Sequence, residues 1–244
     1  MSEMSFWDHL DVLRGVLFRS AIVLVGTSVI LFCFKGFLFD DIVLAPTRGD
    51  FFLYRWLHLA FSMSIINIEI SAQFFIHLKI AFSCGLIISF PYLIYEVWTF
   101  IAPALYKDEK SATKKAFMMA SVLFYLGVAV GYFFIVPVCL NFFANYSVSA
   151  QVNNQFTISS YISLFLSMVI MSGVLFEFPS VIAVLSHLGI VTRTMLKKGR
   201  KYAFCIILVI SAAITPSDPV SMFVLAAPLY LLYEGSIFIC KKDS

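Results

Sequence analysis

The segment FPYLIYEVWTFIAPALYKDEKSATKK, from Phe90 to Lys115, joins two long apolar runs of the chain. Its first half is apolar apart from a single glutamate, and it turns polar at Tyr106. It ends in four cations, which are Lys107, Lys110, Lys114 and Lys115. Because a hydrophobic run lies on each side, we predict a loop between two membrane spans. We interpret this loop as a binding face that the rest of the chain presents.

The composition of the 244 residues indicates a membrane protein. The chain is 61% hydrophobic and 13% charged, and its mean hydropathy is +0.95. Soluble domains are about 45–50% apolar and about 25% charged, so much of this surface must face lipid. The net charge of +3 requires no nucleic-acid partner. We therefore predict an all-α, polytopic protein of the lipid bilayer.

Six apolar runs predict six transmembrane helices in a single integral membrane domain, residues 1–244. The predicted spans are about 16–34, 80–99, 116–140, 158–188, 202–214 and 221–240. The fifth run gives about 20 Å of helix against a hydrocarbon core of about 30 Å. The last two runs are either a re-entrant hairpin or two spans that thin the bilayer. We favour thinning, because basic residues lie at both ends of the pair.

Two polar segments, residues 1–14 and 35–78, lie on either side of the first predicted span. Phe6, Leu10 and Leu13 fall on one face of a helix, so residues 1–14 are either an amphipathic helix at the headgroup boundary or a polar tail of the first span. Residues 35–78 hold too many polar groups to cross a membrane. We predict that they form a folded cap with one or two interfacial helices.

The lysines and arginines predict the orientation. They concentrate near the N-terminus, in residues 107–115 and 193–201, and at the C-terminus, and are absent from 141–157 and 215–219. The positive-inside rule places the N-terminus, the 100–115 and 189–201 loops and the C-terminus in the cytoplasm. The cations of residues 35–79 are an exception, because long loops follow the rule poorly. Without a visible signal or transit peptide, we expect a multi-pass protein of a prokaryotic inner membrane.

Glu177, in the sequence FEFP, is predicted near the middle of the fourth span. Ionisable side chains inside a membrane are expensive and usually functional. We interpret Glu177 as a polar contact for a substrate or a partner helix. The alternative is a protonated carboxyl that bonds to a neighbouring helix.

Other charged side chains lie near span ends or in the 100–115 loop. Arg19 can snorkel to the interface or face a partner, whereas Glu96 and Glu234 are expected to be solvated by headgroups. Asp108 and Glu109 lie among the four lysines, beside an aromatic turn. Carboxylates pair bidentately with guanidinium groups, so this pair indicates a recognition surface.

The sequence gives little support for an enzyme. The four histidines are far apart and form no HExxH, and the chain contains no GxSxG, Walker A or GxGxxG pattern. Its five cysteines are spread over the apolar segments and give neither a disulfide framework nor a metal-binding pair. We predict no catalytic residues, no metal and no cofactor.

Several segments together resemble the TatC family, the multi-span subunit of the twin-arginine protein translocase. They are HLDVLR, FFIHLKIAF, LIYEVWTFIAPALYKDEK, LFEFP and ITPSDP, with the six apolar runs. The block from Phe100 to Lys110 is the most specific, and the likeness covers nearly the whole chain. The resemblance implies a cupped six-helix bundle with two short helices, in an oligomeric assembly without a cofactor.

The resemblance also implies binding residues. The cytoplasmic N-terminus and first cytoplasmic loop would receive signal peptides that carry paired arginines. The expected contacts are His9, Leu10, Asp11, Arg14, Glu96, Phe100, Pro103, Leu105, Tyr106 and Glu109. Glu177 matches the acidic residue of the fourth helix, and the short helices, with Leu208 and Val224, match the region that docks single-span TatA- and TatB-type partners. Other recurring positions are Pro46, Lys79, Pro91 and Asp218.

The N-terminal segment departs from the family pattern His-Leu-x-Glu-Leu-Arg. Val12 stands at the glutamate position, and Asp11 carries a carboxylate one residue earlier. On a helix this shift rotates the side chain by ~100°. Gly15 and Val16 stand where basic residues are frequent, and Glu96 where glutamine is common.

Two functions remain open from the sequence. The first is a translocase receptor, in which Glu109, helped by Asp11 or Glu96, pairs with the signal-peptide arginines. The second is a secondary transporter that uses Glu177 to bind a proton or a cation. Only a transporter should bind a small solute in the absence of a signal peptide.

Overall fold

The computed structural model describes residues 6–58, 61, 63–102, 107–149, 151, 154–215 and 219–240, with the backbone alone in 6–9 and 107–115. The α-helices of these residues are α1 (Phe6–Phe32), α2 (Phe52–Trp56), α3 (Ala72–Ile101), α4 (Lys107–Val130), α5 (Val136–Asn145), α6 (Ile158–Phe176), α7 (Phe178–His187), α8 (Arg193–Ile214) and α9 (Pro219–Ile239). Phe37–Val43 and Gly131–Ile135 are π-helical, and Ala45–Thr47 is a 3-10 turn. Two short strands, β1 (Ile65–Ile66) and β2 (Phe156–Thr157), pair in parallel.

Five helical segments of the described chain are long and apolar enough to cross a membrane. They are Leu10–Phe32, Ala72–Ile101, Ala116–Asn145, Ile158–His187 and Pro219–Ile239. Helix α8, which contains the fifth predicted run, has 22 residues but begins with a basic stretch, so its apolar part is the short predicted run. The prediction of an all-α, polytopic membrane fold is confirmed.

The helices differ from the predicted spans mainly at their ends. Helix α3 begins at Ala72, about two turns before the predicted start at 80. Helix α8 begins at Arg193 rather than 202. Helix α8 continues past the apolar run because Lys and Arg are good helix formers, whereas the added residues of α3 are mostly apolar. The sequence prediction therefore missed a basic extension of α8 and a mostly apolar extension of α3.

The chain starts as one continuous helix. Helix α1 runs from Phe6 through the first span to Phe32 without a break. A separate amphipathic helix, one of the two alternatives for residues 1–14, is therefore not present in the described part. Helix α1 packs along α3, α4 packs on α6 and α7, and α9 packs on both α7 and α8.

The first connection is anchored in the bundle instead of resting on its surface. The one α-helix among its described residues, α2, has five residues, and the buried core includes Leu38, Val43 and Tyr54 from this connection. The Tyr54 hydroxyl lies 3.0 Å from the Pro46 carbonyl and 3.2 Å from the Pro137 carbonyl. Burial raises the pKa of Tyr54, so its hydroxyl remains a hydrogen-bond donor. Residues 35–58 thus contain two helices, Phe37–Val43 and α2, which buried contacts and tyrosine hydrogen bonds hold to the bundle, and their position at the interface stays a prediction.

The fourth predicted span is two helices. Helix α6 ends at Phe176 and α7 begins at Phe178, with Glu177 between them. Pro179 lies in the first turn of α7, a position where its missing backbone donor costs little. The sequence placed Glu177 inside a continuous span, and the structure places it at a helix break.

Candidate functional site

An ion pair joins α1 to α3 near the end of α3. The Arg19 guanidinium donates two hydrogen bonds to Glu96, from Nε to Oε1 at 3.0 Å and from Nη2 to Oε2 at 2.8 Å. The Tyr92 hydroxyl donates a third, 2.7 Å from Oε1. These two parallel bonds form the bidentate fork that makes arginine–carboxylate pairs directional. The site is therefore built to hold a guanidinium group.

The predicted solvation of Glu96 by headgroups is wrong. Its side chain is buried and paired with Arg19. The sequence allowed Arg19 to face a partner without indicating which one. The two residues meet because α1 and α3 pack against each other, which brings positions 77 residues apart to one level.

The predicted 100–115 loop is largely helical. Helix α3 continues to Ile101 and α4 starts at Lys107, so the four lysines belong to a helix. Lysine, glutamate and alanine favour helices, which explains the early start of α4. Glu109 lies in the first turn of α4, where a negative charge interacts favourably with the helix dipole. The side chain of Glu109 and all of Pro103, Leu105, Tyr106 and Asp218 lie outside the described residues.

The two helices on either side of this segment contact each other. The Trp98 ring on α3 lies 5.3 Å from the Phe117 ring on α4, centroid to centroid. Phe100 is half-buried on α3, four residues after Glu96 and thus on the same face of the helix. The side chains of Tyr92, Glu96 and Phe100 therefore lie along one face of α3. This face runs from the ion pair toward the 100–115 segment, the predicted recognition segment.

The predicted contacts on α1 are accessible. Leu10, Asp11 and Arg14 are exposed, whereas the side chain of His9 is not among those described. Val12, at the position where the family pattern has glutamate, is also exposed. The structure thus offers the Asp11 carboxylate on the surface of α1, and it does not show Asp11 together with Glu96.

Glu177 lies beside a cavity of about 240 Å³ among α3, α4 and α7. Its Oε1 atom and the Ser180 hydroxyl are buried, and neither has a hydrogen-bond partner among the described residues. The other lining residues are Ile94, Ala116, Phe117, Ala120, Val181, Val184 and Leu185. Buried polar groups without partners are costly, so this cavity can accept a polar group or water.

Comparison with known proteins agrees with this architecture. The family model of the Sec-independent protein translocase protein TatC matches residues 8–228. The chain belongs to the TatC family. The TatC protein of Blattabacterium sp. subsp. Periplaneta americana (strain BPLAN) is 36% identical to it in an alignment 253 positions long. This alignment covers 98% of this chain and 95% of that protein. TatCy of Bacillus subtilis (strain 168) is 29% identical and covers 99% and 90%, respectively.

Two solved structures of TatC are similar to the fold described above. A crystal structure of the twin arginine translocase receptor TatC in DDM gives a TM-score of 0.80 at 34% identity and covers 96% of this chain and 99% of that one. A second crystal structure of the same receptor gives 0.76 at 34% identity, with coverages of 95% and 97%. The resemblance noted in the sequence is thereby confirmed at the level of family and fold.

The remaining TatC-like positions are spread over the bundle. Pro46 is buried in the 3-10 turn, and Pro91 lies within the continuous helix α3. Lys79 is exposed, with its Nζ atom 3.3 Å from the Ser163 hydroxyl. Leu208 on α8 and Val224 on α9 are half-buried, and Val224 also packs on the main core.

A second arginine–glutamate ion pair in this TatC-family chain joins α8 to α9 through a single arginine–carboxylate bond. The Nη2 atom of Arg200 on α8 donates to Oε2 of Glu234 on α9 at 2.7 Å, and the Tyr230 hydroxyl lies 3.2 Å from Oε1. The sequence predicted that headgroups would solvate Glu234, and the structure corrects this to a pairing with Arg200. Both pairs join a glutamate near the C-terminal end of one helix to an arginine of a neighbouring packed helix.

Proposed function

We propose that this chain is the signal-peptide receptor and core subunit of a twin-arginine translocase, which exports folded proteins across a prokaryotic inner membrane. Membership of the TatC family and the likeness to structures described as the twin arginine translocase receptor support this role. The structural observation that supports it most is the pair of hydrogen bonds between Glu96 and a guanidinium group, one helical turn from Phe100. The alternative of a secondary transporter is not favoured by these relatives.

The proposed recognition combines charge and apolar contact. A twin-arginine peptide brings two guanidinium groups to a surface that already carries the lysines of α4. Those lysines repel the peptide unless a carboxylate pairs with its arginines. Glu109, at the start of α4, is such a carboxylate within the same segment. Asp11 on the exposed face of α1 supplies further negative charge, and Glu96 on α3 is a carboxylate that Arg19 already neutralises. Guanidinium groups, unlike ammonium groups, satisfy a carboxylate bidentately, which accounts for a preference for arginine over lysine.

The apolar part of the signal peptide then lies along the helices, where the cavity beside Glu177 offers one unbonded carboxylate oxygen, Oε1, to a polar group of the peptide or of a partner helix. The partners are single-span TatA- and TatB-type subunits that dock along α8 and α9. The apolar part of α8 is short, so the bilayer is thinner there. In this proposal the N-terminus and C-terminus are cytoplasmic, and the protein functions in an oligomer.

The proposal is tested at Glu109. A fluorescent signal peptide with Arg-Arg is titrated against the purified chain and against Glu109→Ala and Glu109→Gln. Loss of one charge-assisted pair costs about 1.5–3 kcal/mol, which is roughly ten- to hundredfold in affinity. Glu109→Gln should lose nearly as much, because the charge is removed while the shape remains.

A matched control is Glu69→Gln, which removes an exposed carboxylate from the connection before α3. This variant should bind the peptide as the wild type does. Equal affinity of the wild type and Glu109→Ala would remove Glu109 from the site and leave the aromatic residues of the segment 100–106 as the recognition element.

A further inference from the structure

The Arg19–Glu96 pair places an arginine of the chain itself in a site that fits an arginine of a peptide. Glu96 receives three hydrogen bonds, two from Arg19 and one from Tyr92, at 2.7–3.0 Å. The acceptor geometry is that of a guanidinium site, because both carboxylate oxygens are used by one planar fork. A lysine reaches such a carboxylate only as a point charge.

The two members of the pair differ in their freedom to move. The side chain of Glu96 is 5% exposed and that of Arg19 is 52% exposed. Glu96 is also fixed from its own helix by the Tyr92 hydroxyl, four residues earlier. Arg19 has a long, flexible side chain on the exposed side of the contact, so it can leave the site and be solvated while Glu96 stays in place.

The site is within reach of the proposed recognition segment. Glu96 and Phe100 are one turn apart on the same face of α3, and α3 ends at Ile101, directly before that segment. A peptide held by the Phe100 segment and the start of α4 therefore lies next to the Arg19–Glu96 contact. No other carboxylate among the side chains that the structure describes has such a fork at the α1–α3 contact.

We propose that Arg19 is an internal competitor, which occupies the Glu96 guanidinium site until an arginine of the signal peptide replaces it. This inference rests on the proposed receptor function. The exchange substitutes one guanidinium for another at Glu96, so little binding energy is gained or lost there. The net binding energy must therefore come from the other contacts of the signal peptide. Arg19 is a specificity-determining residue in this mechanism, because it sets which peptides bind.

The direction of the expected effect separates competition from a structural role. If Arg19 only holds α1 to α3, its removal weakens the protein and the binding of the peptide. If Arg19 competes, its removal frees Glu96 for the peptide, and affinity rises. A freed carboxylate that gains one charge-assisted pair corresponds to a gain of about tenfold.

The test is a titration of the fluorescent Arg-Arg signal peptide against Arg19→Gln, Glu96→Gln and the double variant. Arg19→Gln should bind about tenfold more tightly than the wild type. The gain should vanish when Glu96→Gln is also present, because the contested carboxylate is then absent. Arg200→Gln is the matched control, since it breaks the other arginine–glutamate ion pair, which joins α8 to α9 and not α1 to α3. It should leave the affinity unchanged.

A second variant covers the case in which Arg19→Gln fails to fold. Arg19→Lys keeps a charge opposite Glu96 but loses the fork, and its gain should be smaller, about threefold. Equal or weaker binding by the folded Arg19 variants, or an equal gain in the Glu96→Gln background, would overturn the competition. If the wild type itself does not bind the Arg-Arg peptide, the receptor function fails and the competition fails with it. Binding by the wild type without a gain in the variants rejects the competition alone.

Discussion

Helix α1 packs closely against α3 at Gly85. A substitution of this glycine therefore tests the packing of the two helices. A Cβ atom at position 85 would lie 2.3 Å from Oγ, 3.0 Å from N and 3.1 Å from Cα of Ser28 on α1. The Ser28 hydroxyl could rotate away from its bond to Leu24, but the backbone atoms cannot. Gly85→Ala therefore requires α1 to move away from α3.

The magnitude follows from two opposing effects. Overpacking of this kind costs about 1–3 kcal/mol. Replacing glycine by alanine inside a helix gains about 1 kcal/mol of helix propensity. Gly26→Ala on α1 receives the same gain without a clash, because no heavy atom lies within 4 Å of a Cβ there. The difference between the two variants isolates the packing cost, about 1–3 kcal/mol in the free energy of unfolding.

The assay is thermal unfolding of the purified protein in detergent, with both variants measured side by side. For a chain of this size, each kcal/mol shifts the melting temperature by about 2–4 °C. Gly85→Ala should therefore melt about 2–12 °C below Gly26→Ala. Equal melting temperatures would refute the close approach of α1 and α3 at Ser28.

Three further outcomes are expected. Tyr54→Phe removes the hydroxyl between the Pro46 and Pro137 carbonyls and should cost about 1–2 kcal/mol in thermal unfolding; an unchanged melting temperature would show that this bond does not anchor the first connection. Single cysteines at Ser149 and Lys198 in a cysteine-free variant should be labelled from opposite sides of the membrane, and labelling of both by one impermeant reagent in intact cells would reject the orientation. Photocrosslinkers at Leu208 and Val224 should capture a single-span partner, whereas capture from α1 alone would place the partner elsewhere.

The membrane fold was predictable because hydropathy reports directly on contact with lipid. The apolar runs identified an all-α, polytopic protein, and the Phe100–Lys110 block indicated its family. The same property is insensitive to helix ends, since Arg193 and the residues after it are polar and still helical. It also did not show the break at Glu177, where the local sequence remains apolar on both sides.

The candidate site was predictable in its residues but not in its pairings. Arg19 and Glu96 were both conspicuous as charges near span ends, and each was interpreted alone. Their partnership depends on the packing and depth of α1 against α3, which hydropathy does not give. The position of Tyr92, four residues before Glu96, was a local signal that helical spacing could have revealed. The sequence showed that Val12 and Glu96 differ from the residues usual in the family. Only the structure shows that Arg19 forms hydrogen bonds with the Glu96 carboxylate.

The receptor role is tested most directly by the affinity of the wild-type chain, in lipid nanodiscs, for two signal peptides that differ only at the arginine pair. One peptide carries Arg-Arg and the other Lys-Lys, and binding is followed by fluorescence anisotropy. Because lysine cannot form the bidentate fork with a carboxylate, we expect the Arg-Arg peptide to bind at least about tenfold more tightly. Equal affinity for the two peptides would contradict recognition of the arginine pair by this chain.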